Sequence, residues 1–326
     1  MKQIPCCLYP TTVAFIDDDL LFLQNISAER DFKNLPYVNF SDPNLALKHI
    51  NEDQYIKSFL AREVEYTDKY GYGEESLNRY IGEIIKQIFN ADRYKQISVA
   101  VIDYAMPAMD GLEVCRAIDN KYVKKILLTG VADENLAISA FNEGLIYQFI
   151  RKHDPDYHQK LNKAIEDAQN AYFCEVFQVM LKAFEYLAGA SALLDPTFIE
   201  YFNKLLIDNN IKEYYLVEPT GTFFMVDEAN KSKSLFVMTE DMLDTFLPDE
   251  PTKYLDEENF KMLQERELMF CFYEPFYEQP FDSEKNEVWQ PYLKKPEIIK
   301  GKQDYFTYYG DNLIKLPQEK IKFYKA

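Results

Sequence analysis

The sequence predicts two units of different class. A doubly wound α/β domain on a parallel sheet comes first, and a long helix joins it to an α+β domain on an antiparallel sheet. Three observations carry this reading. Apolar runs of strand length end four times in polar residues suited to chemistry. One helical period continues unbroken from about Pro155 to Leu194. Beyond Pro196 the pattern changes to hairpin turns and aromatic strands.

The first run is Thr12-Val13-Ala14-Phe15-Ile16, ending in Asp17-Asp18-Asp19. Three adjacent carboxylates repel one another unless a cation sits among them, and hard oxygen ligands suit Mg²⁺. The second, Val99 to Ile102, runs straight into Asp103. Pro107 then bends the chain, and Asp110-Gly111 turns it into a helix beginning at Leu112. Lys125-Ile126-Leu127-Leu128 ends in Thr129-Gly130, and Ile146 to Arg151 ends in Lys152. Open α/β sheets bind ligands at the carboxyl ends of their strands. Four strands thus deliver an acidic cluster, a second carboxylate, a hydroxyl and an ammonium to one edge. That set suits capture of a phosphoryl group: cations neutralise its oxygens, the hydroxyl donates to one, and Asp103 attacks phosphorus.

On these residues the chain resembles a response regulator with an N-terminal receiver domain of the chemotaxis-regulator type. The resemblance covers residues 11–51 and 96–168, and its core is the run Asp103-Tyr-Ala-Met-Pro-Ala-Met-Asp-Gly111. It implies a five-stranded parallel sheet with Asp103 as phosphoacceptor. It implies Asp18 as a direct Mg²⁺ ligand, Asp17 as a ligand through water, and the Ala105 carbonyl as a further ligand. Thr129 matches the switch hydroxyl, Phe149 the switch aromatic and Lys152 the phosphate-pairing lysine. A histidine kinase or phosphotransfer protein is the implied donor. His153 departs from the pattern, standing where the family usually has proline, so the loop carrying Lys152 is expected to take a different path.

A second departure is an insertion. Asn44 to Ile50 reads as the second helix, yet the strand before Asp103 begins only near Ile97, where a compact domain uses about 4–6 residues. Tyr55 to Val64 and Leu77 to Phe89 both have helical spacing and are separated by Gly71-Tyr72-Gly73. The insertion, about residues 52–95, either stabilises its own domain or offers a docking surface. Residues 1–154 are assigned to the receiver domain, 155–194 to a helical connector and 195–326 to the output domain. In the connector Tyr157, Leu161, Ile165, Ala168, Tyr172, Val176, Val179, Ala183 and Leu187 recur at threes and fours. Such a seam suits a coiled-coil homodimer or packing inside one chain.

The output domain reads as a helix opened by Asp195-Pro196, then strands at Glu213–Val217 and Thr222–Val226 around the turn Glu218-Pro219-Thr220-Gly221. Leu235–Met238 and Leu268–Tyr273 add strands, Glu240–Phe246 and Phe260–Leu263 add helix, and Tyr305–Tyr309 is expected at a sheet edge. No helix-turn-helix, Gly-rich phosphate loop or His-Asp pair occurs there. Residues 195–326 carry 26 acidic and 16 basic side chains, a net of −10, which disfavours DNA. The aromatics Tyr214, Tyr215, Phe223, Phe224, Phe270, Phe272 and Tyr273 are either core or the lining of a ligand cavity.

Composition bounds the rest. The 326 residues suit about two domains. No apolar run approaches the roughly 20 residues that span a bilayer. Five cysteines without metal spacing indicate reduced thiols and a cytoplasmic home, and His49, His153 and His158 lack metal-type neighbours. The expectation is a phosphorylation-switched interaction protein, not itself an enzyme, acting on a protein effector. An output with small-molecule or enzymatic chemistry is the alternative.

Overall fold

The computed structural model describes residues 3–28, 35–52, 74–107, 109–130, 134–178, 192–252, 255–273, 290–311 and 313–324. The chain forms two compact units drawn from interleaved stretches. Residues 9–69, 91–179 and 324–326 make one, and residues 1–8, 70–90 and 180–323 make the other. Strand β1 (Cys7–Leu8) and helix α3 (Glu74–Ile88) fall in the second.

The first unit holds β2 (Thr12–Ile16), α1 (Leu20–Ala28), β3 (Tyr37–Phe40), α2 (Pro43–Glu52), β4 (Ile97–Asp103), α4 (Gly111–Ala117), β5 (Lys124–Thr129), α5 (Glu134–Asn142), β6 (Gln148–Arg151) and α6 (Tyr157–Val176). Its five strands are parallel in the order β3-β2-β4-β5-β6. All seven residues of β4 are buried, because both sheet faces are covered. Val99 and Val101 pack with Leu23 and Ile26 of α1 and with Leu161, Ala164, Ile165 and Ala168 of α6. Ala100 and Ile102 pack with Ala46 and Ile50 of α2, Leu112 and Cys115 of α4, and Ala137 and Ala140 of α5. This period-two division produces the double winding.

The apolar seam of α6 is part of that core. Leu161, Ile165, Ala168, Tyr172 and Val176 are each at most 2% exposed, so the described half of the seam packs inside one chain and is not open to a coiled-coil partner. Helix α6 ends at Val176, and Val179, Ala183 and Leu187 lie outside the described residues.

The second unit centres on a six-stranded antiparallel sheet, order β1-β7-β8-β9-β13-β12. It comprises α7 (Pro196–Asp208), β7 (Ile211–Leu216), β8 (Phe223–Asp227), β9 (Ser232–Met238), α8 (Glu240–Phe246), α9 (Glu257–Gln264), β10 (Met269–Phe270), β11 (Leu293–Lys294), β12 (Glu297–Lys300) and β13 (Asp304–Asp311). Phe202 of α7 meets Tyr214 edge to face, with ring centroids 5.0 Å apart, and Phe198 packs on Tyr305. Tyr214, Tyr215, Phe223 and Phe224 are fully buried, which makes them core and not the lining of a cavity. Asp195 caps α7 by accepting from Thr197 N at 2.8 Å, and its other oxygen accepts from Lys302 N and from the Tyr305 hydroxyl. One carboxylate thereby fastens the helix start to the β12–β13 turn.

Two placements differ from the sequence reading. Strand β13 lies between β9 and β12, not at an edge, since Tyr305, Phe306 and Thr307 are buried on its two faces. Residues 1–8 and 74–90, read with the first domain, group with the second unit: Cys7 pairs with Tyr215, and α3 lies against β7. Helical spacing reveals that Tyr80, Ile84 and Ile88 share an apolar face, but it does not name the surface that face covers. The first helical run of the insertion, Tyr55 to Val64, lies outside the described residues.

Candidate functional site

The carboxyl edge of the parallel sheet gathers the residues the sequence singled out. Asp103 is the last residue of β4 and is 7% exposed. The chain turns sharply after it: Tyr104 N donates to Leu128 O at 2.9 Å, and Ala105 N donates to Asp103 Oδ2 at 3.0 Å. The turn closes where Gly111 N donates to Tyr104 O, and Asp110 with Glu113 forms a capping box that starts α4. Gly111 is required by space, because a Cβ there would collide with the Asp103 carbonyl and lie 2.9 Å from Tyr104 Cα.

Asp17 follows β2 and is buried, whereas Asp18 and Asp19 are exposed. Asp17 Oδ1 accepts from Asp19 N at 2.9 Å, and Asp19 Oδ1 accepts from Leu21 N at 2.8 Å and Phe22 N at 3.2 Å. The acidic triplet therefore divides its labour. Asp19 caps α1, while Asp17, Asp18 and Asp103 bring carboxylate oxygens within 4.8 Å of one another.

Lys152 completes the cluster. Its backbone N donates to Thr129 O, and its Nζ lies 2.6 Å from Asp17 Oδ2 and 2.7 Å from Asp103 Oδ1. The same ammonium lies 4.4 Å from the centroid of the Phe22 ring, a cation–π contact that sequence reasoning missed. Phe22 stands five residues after Asp17, where helix periodicity gives no hint of a neighbour 130 residues away. With His153 next in sequence, the chain has no cis peptide bond among the described residues, and Lys152 still reaches both carboxylates.

Burial raises the Asp17 carboxyl above its usual range, outweighing the hydrogen bonds from Lys152 and Asp19 that lower it. Burial alone would lower the Lys152 ammonium, but hydrogen bonds to Asp103 and Asp17 overcome it and hold the group above its ordinary value. The amine is therefore charged at neutral pH. One cation among three carboxylates leaves an acidic surplus, and an all-oxygen donor set with one exposed member fits a hard divalent cation with room for water.

Thr129 ends β5 fully buried, and its hydroxyl has no hydrogen-bond partner among the described residues. A buried, unanswered hydroxyl is costly unless some state of the protein supplies an acceptor. Phe149, on β6, is half-buried against the core between the sheet and α2, α4 and α5. Ala105 sits exposed in the turn after Asp103.

No family model and no curated protein matches the chain. Among solved structures, it is similar to the response regulator LqsR of Legionella pneumophila, with 31% identity and a TM-score of 0.76 over 98% of this chain and 93% of that one. A response regulator receiver domain protein from Clostridium thermocellum matches with 22% identity and a TM-score of 0.34, over 49% of this chain and 94% of that one. A CheY-like receiver domain protein from Methanospirillum hungatei matches with 16% identity and a TM-score of 0.33, over 50% of this chain and 96% of that one. The match to LqsR runs through both units and not the parallel sheet alone. Together with the acidic cluster at the sheet's carboxyl edge, it establishes that the chain belongs to the response regulators, as a CheY-like receiver fused to a second, distinct domain built on an antiparallel sheet.

Proposed function

We propose that this protein is a two-component response regulator that takes a phosphoryl group on Asp103 and signals through a protein-binding second domain. The observation that carries this reading is the Lys152 ammonium held between Asp17 and Asp103, beside a buried Thr129 hydroxyl that lacks an acceptor. Asp18 and Asp103 would hold Mg²⁺, with Asp17 contributing through water and the Ala105 carbonyl as a further ligand, and the ion would supply charge neutralisation at the phosphoryl oxygens. An Asp103 carboxylate oxygen attacks phosphorus while the bond to the donor's histidine nitrogen, or to a small acyl phosphate's oxygen, breaks. Lys152 pairs with one phosphoryl oxygen and Thr129 donates its hydroxyl to another, which answers its unmet bond. Movement of Thr129 opens space for Phe149 to turn inward and reshape the face of α5, β6 and α6. Water attack on the phosphorus of phospho-Asp103 resets the switch.

The net charge of −10 over residues 195–326 supports a protein partner over DNA. Five cysteines that form no disulfide, and the absence of any membrane-length apolar helix among the described residues, support a cytoplasmic setting. A homodimer, if phosphorylation produces one, uses a surface other than the described part of the α6 seam. The test is intact-mass measurement after acetyl phosphate and Mg²⁺ treatment. Wild type gains one phosphoryl mass and Asp103→Asn gains none. Equal gain in both would overturn the assignment. Asp18→Asn should weaken Mg²⁺ binding more than Asp17→Asn does.

A further inference from the structure

A second concavity lies at the opposite end of the parallel sheet, among the amino-terminal ends of β5 and β6. It has a volume of about 690 Å³, and Lys121, Lys124, Lys125, Phe141, Tyr147 and Glu175 are among its lining residues. That volume falls in the range of about 300–1,000 Å³ typical of small-molecule sites.

Its charge runs against the composition of the chain. The protein carries 54 acidic against 36 basic residues, yet three lysines among five consecutive residues line this cleft with one carboxylate. Glu175 pairs with Lys124, whose side chain is 14% exposed, so that cation is answered. Lys125 is not answered in the same way. Its Nζ donates to the Cys115 carbonyl at 2.7 Å, and no carboxylate pairs with it among the described residues. Burial pulls the Lys125 ammonium below its usual range, as expected of a cation taken from water without a counter-charge. Lys121 is exposed at the rim, its Nζ 5.0 Å from the centroid of the Tyr122 ring. Opposite the lysines the wall is apolar: Leu145 and Ile146 join Tyr147, and Phe141 stays half exposed, at 50%.

We propose that this cleft binds a small organic anion, with its phosphate or carboxylate on Lys125 and Lys121 and an apolar or aromatic body against Phe141 and Tyr147. A half-buried ammonium with N–H groups left over is met by an anion at low desolvation cost, because most of that cost is already incurred in the free protein. The exposed Phe141 ring supplies the area that a purely inorganic ion would leave uncovered. The site is separate from the acidic cluster, yet β5 runs from Lys124 at this end to Thr129 at the other, and the residue after β6 is Lys152. An anion here therefore contacts the same two strands that carry the phosphoryl-binding side chains.

The test is a titration of the full-length, isotope-labelled protein with phenyl phosphate, benzoate and inorganic phosphate, followed by amide NMR shifts. Saturable shifts confined to residues 121–125, Phe141 and residues 144–148 are expected with one or both organic anions, and the stronger of the two identifies the headgroup. Inorganic phosphate should bind at least several-fold more weakly. Lys125→Met should weaken binding about tenfold or more, the weight of a lost charge-assisted hydrogen bond. Lys121→Gln, at an exposed position that leaves the fold intact, should weaken it a few-fold, and the distant Lys48→Gln should not change it. No shift in this region, shifts centred elsewhere, or equal loss in the Lys48 variant would each overturn the site.

Discussion

Lys152 Nζ lies 2.7 Å from Asp103 Oδ1, so the proposed acceptor carboxylate is already held by a cation before any phosphoryl group arrives. On the proposed reading the same ammonium would compete with a divalent ion for Asp17 and Asp103. Lys152→Met should therefore tighten Mg²⁺ binding several-fold while slowing phosphoryl uptake from acetyl phosphate roughly 100-fold, the typical loss for one transition-state cation or donor. Fluorescence titration and timed intact-mass measurements separate the two effects. Weaker Mg²⁺ binding in this variant would contradict the competition.

Gly111 sits where a Cβ would meet the Asp103 carbonyl, Tyr104 Cα and Leu127 Cδ1. Two of those atoms are backbone, which yields poorly. Gly111→Ala should destabilise the receiver by about 1–3 kcal/mol, as overpacking commonly does. Urea unfolding with an unchanged m-value is the measurement, and a neutral result would show that the turn after Asp103 relaxes freely.

Ile165 is 2% exposed between α6 and the sheet. Ile165→Ala should cost about 2–5 kcal/mol of receiver stability by leaving a cavity. Light scattering of the folded variant should match wild type, because the lost contacts lie inside one chain. Loss of a wild-type dimer without loss of stability would place this residue at an interface instead.

Residues 195–326 alone lack both β1 and α3. Expressed as a fragment they should fail to give a cooperative thermal transition by circular dichroism, since β7 loses its Cys7–Tyr215 pairing and the helix packed on it. A sharp, reversible transition in the fragment would show that these early segments are dispensable.

Burial lifts the Glu218 carboxyl above its usual range, against hydrogen bonds from Thr222 and Thr220. An acid raised in the folded state keeps its proton where the unfolded chain has already released one. Folding stability then falls as pH climbs from the ordinary carboxylate value through the raised one. Glu218→Gln should raise Tm at pH 7 and leave it nearly unchanged at pH 4. Equal gains at both values would mean that charge is not the cause.

The parallel sheet and its acidic edge were legible in the sequence because each strand is apolar along its length and ends in a chemically distinctive residue. Asp17, Asp18, Asp103 and Lys152 converge as that pattern requires. Phe22 beneath the ammonium was not legible, since a ring on a half-exposed helix carries no mark of its partner. Nor was the placement of α3. Its apolar face declares burial, while its destination depends on Cys7, β7 and other distant pieces of chain that no local period encodes. The aromatic sheet residues were ambiguous for a related reason: Tyr214 and Phe223 suit a cavity wall as well as a core until their neighbours are seen to fill the space.

The chain passes between its two units five times, at residues 8–9, 69–70, 90–91, 179–180 and 323–324. A receiver tied to its output by one linker can be recombined as a cassette, with a single crossover grafting it onto a new effector. Here no single crossover frees either unit intact. Sequence change in the second domain must keep β1 and α3, which are encoded on either side of the receiver's first strand and helices. Exchanging the second domain therefore takes several coordinated junctions, whereas substitutions on its existing sheet leave the pairing of the two units untouched.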